Sequence, residues 1–142
     1  MEPAFWDSSS VVPLCVRQEG APAAQNLIQR YSLVVWWATP VEVRGAFSRL
    51  LRTRELMSSQ HVGAQVRLTE LRSKWREISP APGLRDQAER LLDRFPLKAA
   101  DALQLAAALA WVSGRPRNRA FISGDALLHD AAGQLGFLAI RA

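Results

Sequence analysis

Cysteine, histidine and lysine are all scarce in this 142-residue chain. One cysteine, Cys15, excludes an internal disulfide and fits a cytosolic setting, where thiols stay reduced. It reads as a small buried hydrophobe. Two histidines, His61 and His129, are too few for a zinc site of the usual Cys/His kind. No run of 18 uncharged apolar residues occurs, so no transmembrane span is expected. The opening MEPAFWDSSS lacks the basic region and apolar stretch of a signal peptide. No repeat, linker or low-complexity tract breaks the chain, and its length is that of one domain, residues 1–142. What is plentiful is apolar residues, 49%, and arginine. Net charge is +5, and only Lys74 and Lys98 among the 18 basic residues are not Arg. Arginine suits planar contact with phosphate, hence nucleic acid. A genome rich in Arg and Ala codons explains the same excess, so the charge supports a function without deciding it.

The strongest local signal is Leu97–Ala110, LKAADALQLAAALA. Alanine and leucine are the best helix formers, and a helix apolar nearly all round belongs inside a domain. Around it, AFWD at 4–7 reads as a short buried strand. Ser8–Ser10 offer caps for a helix from about Val11 to Gln18, with Pro13 tolerated in its first turn. A break at Glu19–Pro22 with Gly20 as a helix stop precedes a second helix to Arg30. The continuous apolar run LVVWWA, 33–38, predicts a strand covered on both faces. Trp36 and Trp37, as strand neighbours, are expected to point to opposite faces and pack in the core on each side, rather than stack on bases.

Thr39 then opens a long helix to about Leu56, and Ser58–Lys74 a second that pairs with it as a hairpin. Trp75–Ile78 is a short strand and Ser79–Gly83 a Pro-rich loop. Leu84–Phe95 is an amphipathic helix burying Leu84, Ala88, Leu91, Leu92 and Phe95. Gly114–Asn118 is a turn, Ala120–Ser123 a strand, Asp125–Leu135 a helix and Phe137–Ile140 a closing strand. Strands alternating with helices predict an α/β sandwich, a central parallel sheet flanked by helices in three layers, with right-handed crossovers.

In such sheets ligands bind at the carboxyl ends of the strands. Asp7 ends the first strand, Glu42 follows the second and Asp125 follows the strand closing at Ser123. Asp101 opens the central helix. Each acid also has an ordinary explanation. Asp7 and Asp125 suit helix N-caps, Asp101 suits a first turn, and Thr39 with Glu42 makes a capping box with Pro40 at the first helical position. Their convergence argues against four unrelated caps. Two unit charges ~4 Å apart repel by about 4 kcal/mol at an effective dielectric near 20, more than a cap contributes. Some protonate, or a cation binds, and oxygen-only ligands favour Mg²⁺ or Mn²⁺.

These blocks resemble the PIN-domain ribonucleases, and in particular the VapC-type toxins of bacterial toxin–antitoxin pairs. FWDSSSVVPL carries Asp7 and, in a D-x-S arrangement, Ser9. TPVEVRGAF carries Glu42, LKAADALQLAAALA carries Asp101, and FISGDALLHDAAGQLGF carries Asp125 with Ser123 two residues earlier. The blocks stand in the family's order and span essentially the whole chain. The resemblance implies a PIN-like sandwich and a cytoplasmic Mg²⁺- or Mn²⁺-dependent endoribonuclease. It also implies a homodimer and a small antitoxin that covers the active site. The catalytic acids are then Asp7, Glu42, Asp101 and Asp125, holding one or two ions. Asp7, Asp101 and Asp125 are direct ligands, and Glu42 acts through water. Ser9 and Ser123 hydrogen-bond the carboxylates or the phosphate, or serve as caps. Many relatives carry a further acid soon after the last; here it is Asp130, five residues on and off the face of an i+4 neighbour. Arg44 and Arg49 follow Glu42 on one helix as candidate grips for the RNA backbone, and His129 is read as a helix-surface residue. An RNA-processing nuclease without an antitoxin, or a binding module that does not cut, are the competing readings.

Overall fold

The computed structural model of the chain describes residues 1–16 and 23–142. Five strands, β1 (Glu2–Trp6), β2 (Tyr31–Trp36), β3 (Arg76–Ile78), β4 (Ala120–Ser123) and β5 (Leu138–Arg141), form one sheet in the order β3-β2-β1-β4-β5. Every neighbouring pair is parallel. Parallel neighbours need crossovers, and among the described residues seven helices supply them: α1 (Ser8–Cys15), α2 (Ala23–Leu27), α3 (Thr39–Arg52), α4 (Ser58–Arg72), α5 (Pro82–Arg94), α6 (Ala99–Trp111) and α7 (Ala126–Leu135). The expected break at 19–22 and the end of the first helix fall on residues 17–22, outside those described.

Strand periodicity sorts the core into two layers. Ala4, Trp6, Leu33, Val35, Ala120 and Ile122 face the side of α1, α3 and α4. Phe5, Val34, Trp36 and Phe121 face the side of α5, α6 and α7. Both sheet faces are therefore apolar, which is why LVVWWA reads as a continuous run. Phe5 and Phe121 are register partners on β1 and β4, and their rings stack 5.4 Å apart. On that side α6 is wedged against α5, β2, β3 and α7, with Leu105 fully buried. Helix α7 ends at Gly136, whose φ of 108° a side chain would strain.

Several local expectations are corrected. The first helix starts at Ser8, because Asp7 rather than a serine caps it. Pro13 therefore lies in the helix interior, not its first turn, and removes the N–H that would bond Ser9 O. Leu92 does not join the buried face of α5: it is 40% exposed, while Leu84, Ala88, Leu91 and Phe95 are buried. Trp37 is not a strand residue. β2 ends at Trp36, which is buried, whereas Trp37 is 55% exposed and its ring meets that of Trp36 edge-on at 6.4 Å.

These burials separate two leucines. Leu105→Ala should lower unfolding free energy by about 2–5 kcal/mol. Leu92→Ala should stay within about 0.5 kcal/mol. Urea unfolding of the two variants checks the assignment; equal losses would contradict it.

Candidate functional site

The direction of the chain across the sheet reverses between β1 and β4. From β1 it proceeds to β2, from β4 to β5, so the two connections leave in opposite directions. That is where an open parallel sheet leaves a crevice at its carboxyl edge. Asp7 follows β1 there and is buried, 2% exposed. Its backbone N–H donates to Ile122 O of β4 at 3.2 Å, which anchors it to the seam. Its carboxylate receives three donors. Ser9 Oγ reaches Oδ1 at 2.9 Å and Oδ2 at 2.8 Å. Ser10 N donates to Oδ1 at 3.1 Å and Ser123 Oγ to Oδ2 at 3.0 Å. Ser123 Oγ in turn accepts from Asp125 N at 3.0 Å, and Ser9 Oγ from Gly124 N at 2.9 Å. Ser9 and Ser123, read from sequence as supports or caps, thus hold the carboxylate of Asp7. Asp7 and Asp125 are N-caps as well, accepting from Ser10 N and Leu128 N.

Glu42 belongs to a second network. The expected capping box does not form: Ala38 caps α3 and makes no side-chain cap bond. Instead Glu42 Oε1 accepts from Ser8 Oγ at 2.7 Å and Gln104 Nε2 at 2.6 Å. Gln104 Nε2 also lies 2.8 Å from Ser8 Oγ and 3.2 Å from Thr39 Oγ1. Gln104 is 2% exposed and its Oε1 is buried without a partner. Sequence reasoning missed Gln104, although a signal was present. It is the polar residue amid the Ala and Leu of α6, three positions after Asp101 and so on the same face.

Asp101 joins the other acids through their fields. Partial burial raises its carboxyl pKa, and the charges of Asp125 and Glu42 push it further up, against a smaller pull from Lys98. The four acids are therefore gathered at one edge, with Asp7 buried and the other three half-buried. They do not amount to a finished cage: among the described residues no three Asp, Glu, His or Cys side chains are grouped to hold an ion directly. The donor set still fits a hydrated hard cation. Its ligands would all be oxygens, and Mg²⁺ commonly takes one or two carboxylates and keeps several waters; at Asp7 it would compete with Ser9, which meets both carboxylate oxygens.

The two arginines of α3 part ways. Arg49, two helical turns after Glu42 and so on its face, shares a groove of about 400 Å³ with Ser9 and Ala46, whereas Arg44 lines a separate groove against Val62, Val66 and Arg72 of α4. His129 sits on α7, 3.3 Å from Asp130. Cys15 is partly buried, and burial pushes its thiol up to about 12, which keeps it protonated.

No family model and no curated protein matches the chain. A sheet of five parallel strands between two helical layers is the PIN-like three-layer sandwich. A chain of a solved toxin–antitoxin complex from Klebsiella pneumoniae superimposes on it with a TM-score of 0.61, at 17% identity, over 86% of each chain. At that identity the likeness is one of fold. No helix of the described residues is long and apolar enough to cross a membrane.

Burial raises the Asp7 carboxyl from 3.8 to about 6 despite its serine donors. The folded protein thus holds a proton that the unfolded chain gives up between about pH 4 and 6. Stability falls as pH rises through that window, by about 3 kcal/mol in all, and stays reduced above it. In EDTA, Asp7→Asn should gain on the parent by that order between pH 4 and 7.5 in urea unfolding. Parallel pH profiles would contradict the burial of this charge. In the second network, Gln104→Glu sets a carboxylate against Glu42, and two such groups in contact cannot both ionise. Its stability deficit should be larger at pH 7.5 than at pH 4.5; a pH-independent deficit would break the assignment.

Proposed function

We propose that this chain is a Mg²⁺- or Mn²⁺-dependent endoribonuclease of the PIN-domain type, acting as the toxin of a toxin–antitoxin pair. The observation that carries the nuclease reading is the position of Asp101, half-buried and within the fields of Asp125 and Glu42, which with burial raise its carboxyl pKa, on an edge where Asp7 is already buried. Four carboxylates on one edge, with Lys98 the opposing charge on Asp101 among the described residues, favour a dication over a structural role. The toxin reading rests on the fold shared with the Klebsiella complex and on the order of the four motif blocks.

In this reading Asp7, Asp101 and Asp125 hold the ion, and Glu42 orients one of its waters. When bound, Mg²⁺ lowers the pKa of an attacking water and offsets charge on the scissile phosphate. Ser9 and Ser123 keep the Asp7 carboxylate in one rotamer, so the ligand is preorganised. Ser8 and Gln104 do the same for Glu42. Arg49, seven residues after Glu42 on α3, would meet the RNA backbone. A small antitoxin would cover this edge, and the chain would work in the cytoplasm as a homodimer.

A second reading, a domain that holds RNA or a protein without cutting, is favoured by the absence of a finished ligand cage among the described residues. Cleavage of single-stranded RNA that EDTA abolishes and Mg²⁺ restores separates the two. Asp101→Asn should lower that cleavage at least ~100-fold, as for the loss of a group that acts in the transition state. Undiminished cleavage would discard the site.

A further inference from the structure

A cavity of about 480 Å³ opens after the carboxyl ends of β2 and β3; none of the four acids lines it and none of the roles assigned so far uses it. Trp36 and Trp37 at the end of β2 form one wall, Pro80 and Pro82 after β3 another, and Leu103 of α6 closes it. Arg85, on the first turns of α5, supplies its one charge. The pocket shares the carboxyl edge of the sheet with the acids. Leu103 and Asp101 both stand on α6, two residues apart and so on different faces, and Trp37 leads into α3, which carries Glu42.

Each wall suits a flat aromatic ligand. Trp37 offers a ring that is 55% exposed and braced edge-on by buried Trp36. Proline rings and a leucine face it, so the slot is stiff and has few polar groups of its own to satisfy. Arg85 makes no ion pair among the described residues and is free to meet a phosphate. An exposed tryptophan and an unpaired guanidinium at the rim, on a chain of net charge +5, match a nucleotide: base against ring, phosphate against cation. An apolar side chain of a partner protein would fill the slot but leave Arg85 unanswered.

We propose that this pocket binds one nucleobase of the RNA strand, stacked on Trp37, with the adjoining phosphate on Arg85, on the same sheet edge as the acids. The proposal deepens the nuclease reading and rests on it for the identity of the strand. It makes Trp37 and Arg85 determinants of where the strand sits, not catalytic residues.

Binding of single-stranded RNA oligonucleotides to the full chain carrying Asp7→Asn, which separates affinity from cleavage, tests it. Adding Trp37→Ala should weaken binding roughly 5- to 150-fold, the range for losing one base stack. Trp37→Phe should keep most of the affinity, and Arg85→Gln should lower the salt dependence by about one phosphate contact. An oligonucleotide with one abasic position at the stacked site should bind the Asp7→Asn chain more weakly by the same factor as Trp37→Ala, and lose no more when Trp37 is already Ala. An abasic penalty that is the same with and without Trp37 at every position overturns the proposal. So does unchanged RNA affinity in Trp37→Ala, including the case where that variant loses a protein partner instead. Failure of the nuclease reading looks different: the unmutated chain would leave RNA uncut in Mg²⁺ while the Trp37-dependent stack persisted.

Discussion

The carboxylate of Asp7, out of water on the seam between β1 and β4, sets the terms for the whole edge. Helix caps normally sit at the surface and contribute about 1 kcal/mol. Burying this one costs about 3 kcal/mol at neutral pH by the rise of its pKa to about 6. Capping α1 therefore does not account for its position, since a serine or an exposed aspartate would cap as well at lower cost. The three hydroxyl and amide donors around it reduce the cost without removing it. A site that keeps a charge under such conditions is arranged for something that prefers the charged form, and a dication is the simplest candidate.

Consecutive residues at the start of α1 tie this seam to the next. Ser9 turns toward Asp7 and Gly124, and Ser8, a helical step earlier, turns toward Glu42 and Gln104. Neighbours on a helix diverge by about 100°, so one turn of α1 holds both the carboxylate that follows β1 and the one on α3. Helix α6 completes the arrangement from the opposite face of the sheet. It brings Gln104 to Glu42 and, one turn back, Asp101 into the field of Asp125 and Glu42. The edge is thus one electrostatic unit assembled from four separate crossovers.

Most elements were legible because their signals are local. The all-apolar strand β2, the Ala/Leu helix α6 and the proline breaks before α5 and α6 each follow from a few adjacent residues. The placing of Asp7, Glu42 and Asp125 followed from strand ends and the parallel rule. What was misjudged depended on geometry beyond the window. Leu92 has the spacing of a core residue, but α5 turns only a narrow stripe to α6. Thr39 and Glu42 have the spacing of a capping box, but Gln104, 62 residues from Glu42, competes for the carboxylate. Trp37 lies within an apolar run, but the β2–β3 register ends at Trp36; only the Trp37 N–H still reaches β3, at Ile78 O, as the chain turns into α3.

The sequence by itself determined the alternation of strands and helices, the two-sided burial of the sheet and the edge on which the acids fall, because hydrophobic period and chain order suffice for those. Only the tertiary structure decided that Asp7 is buried, that Gln104 holds Glu42 and that Trp37 stands free over a pocket. Those outcomes depend on which side chains meet across crossovers, and distances between residues 60 to 120 positions apart are set by packing, not by spacing along the chain.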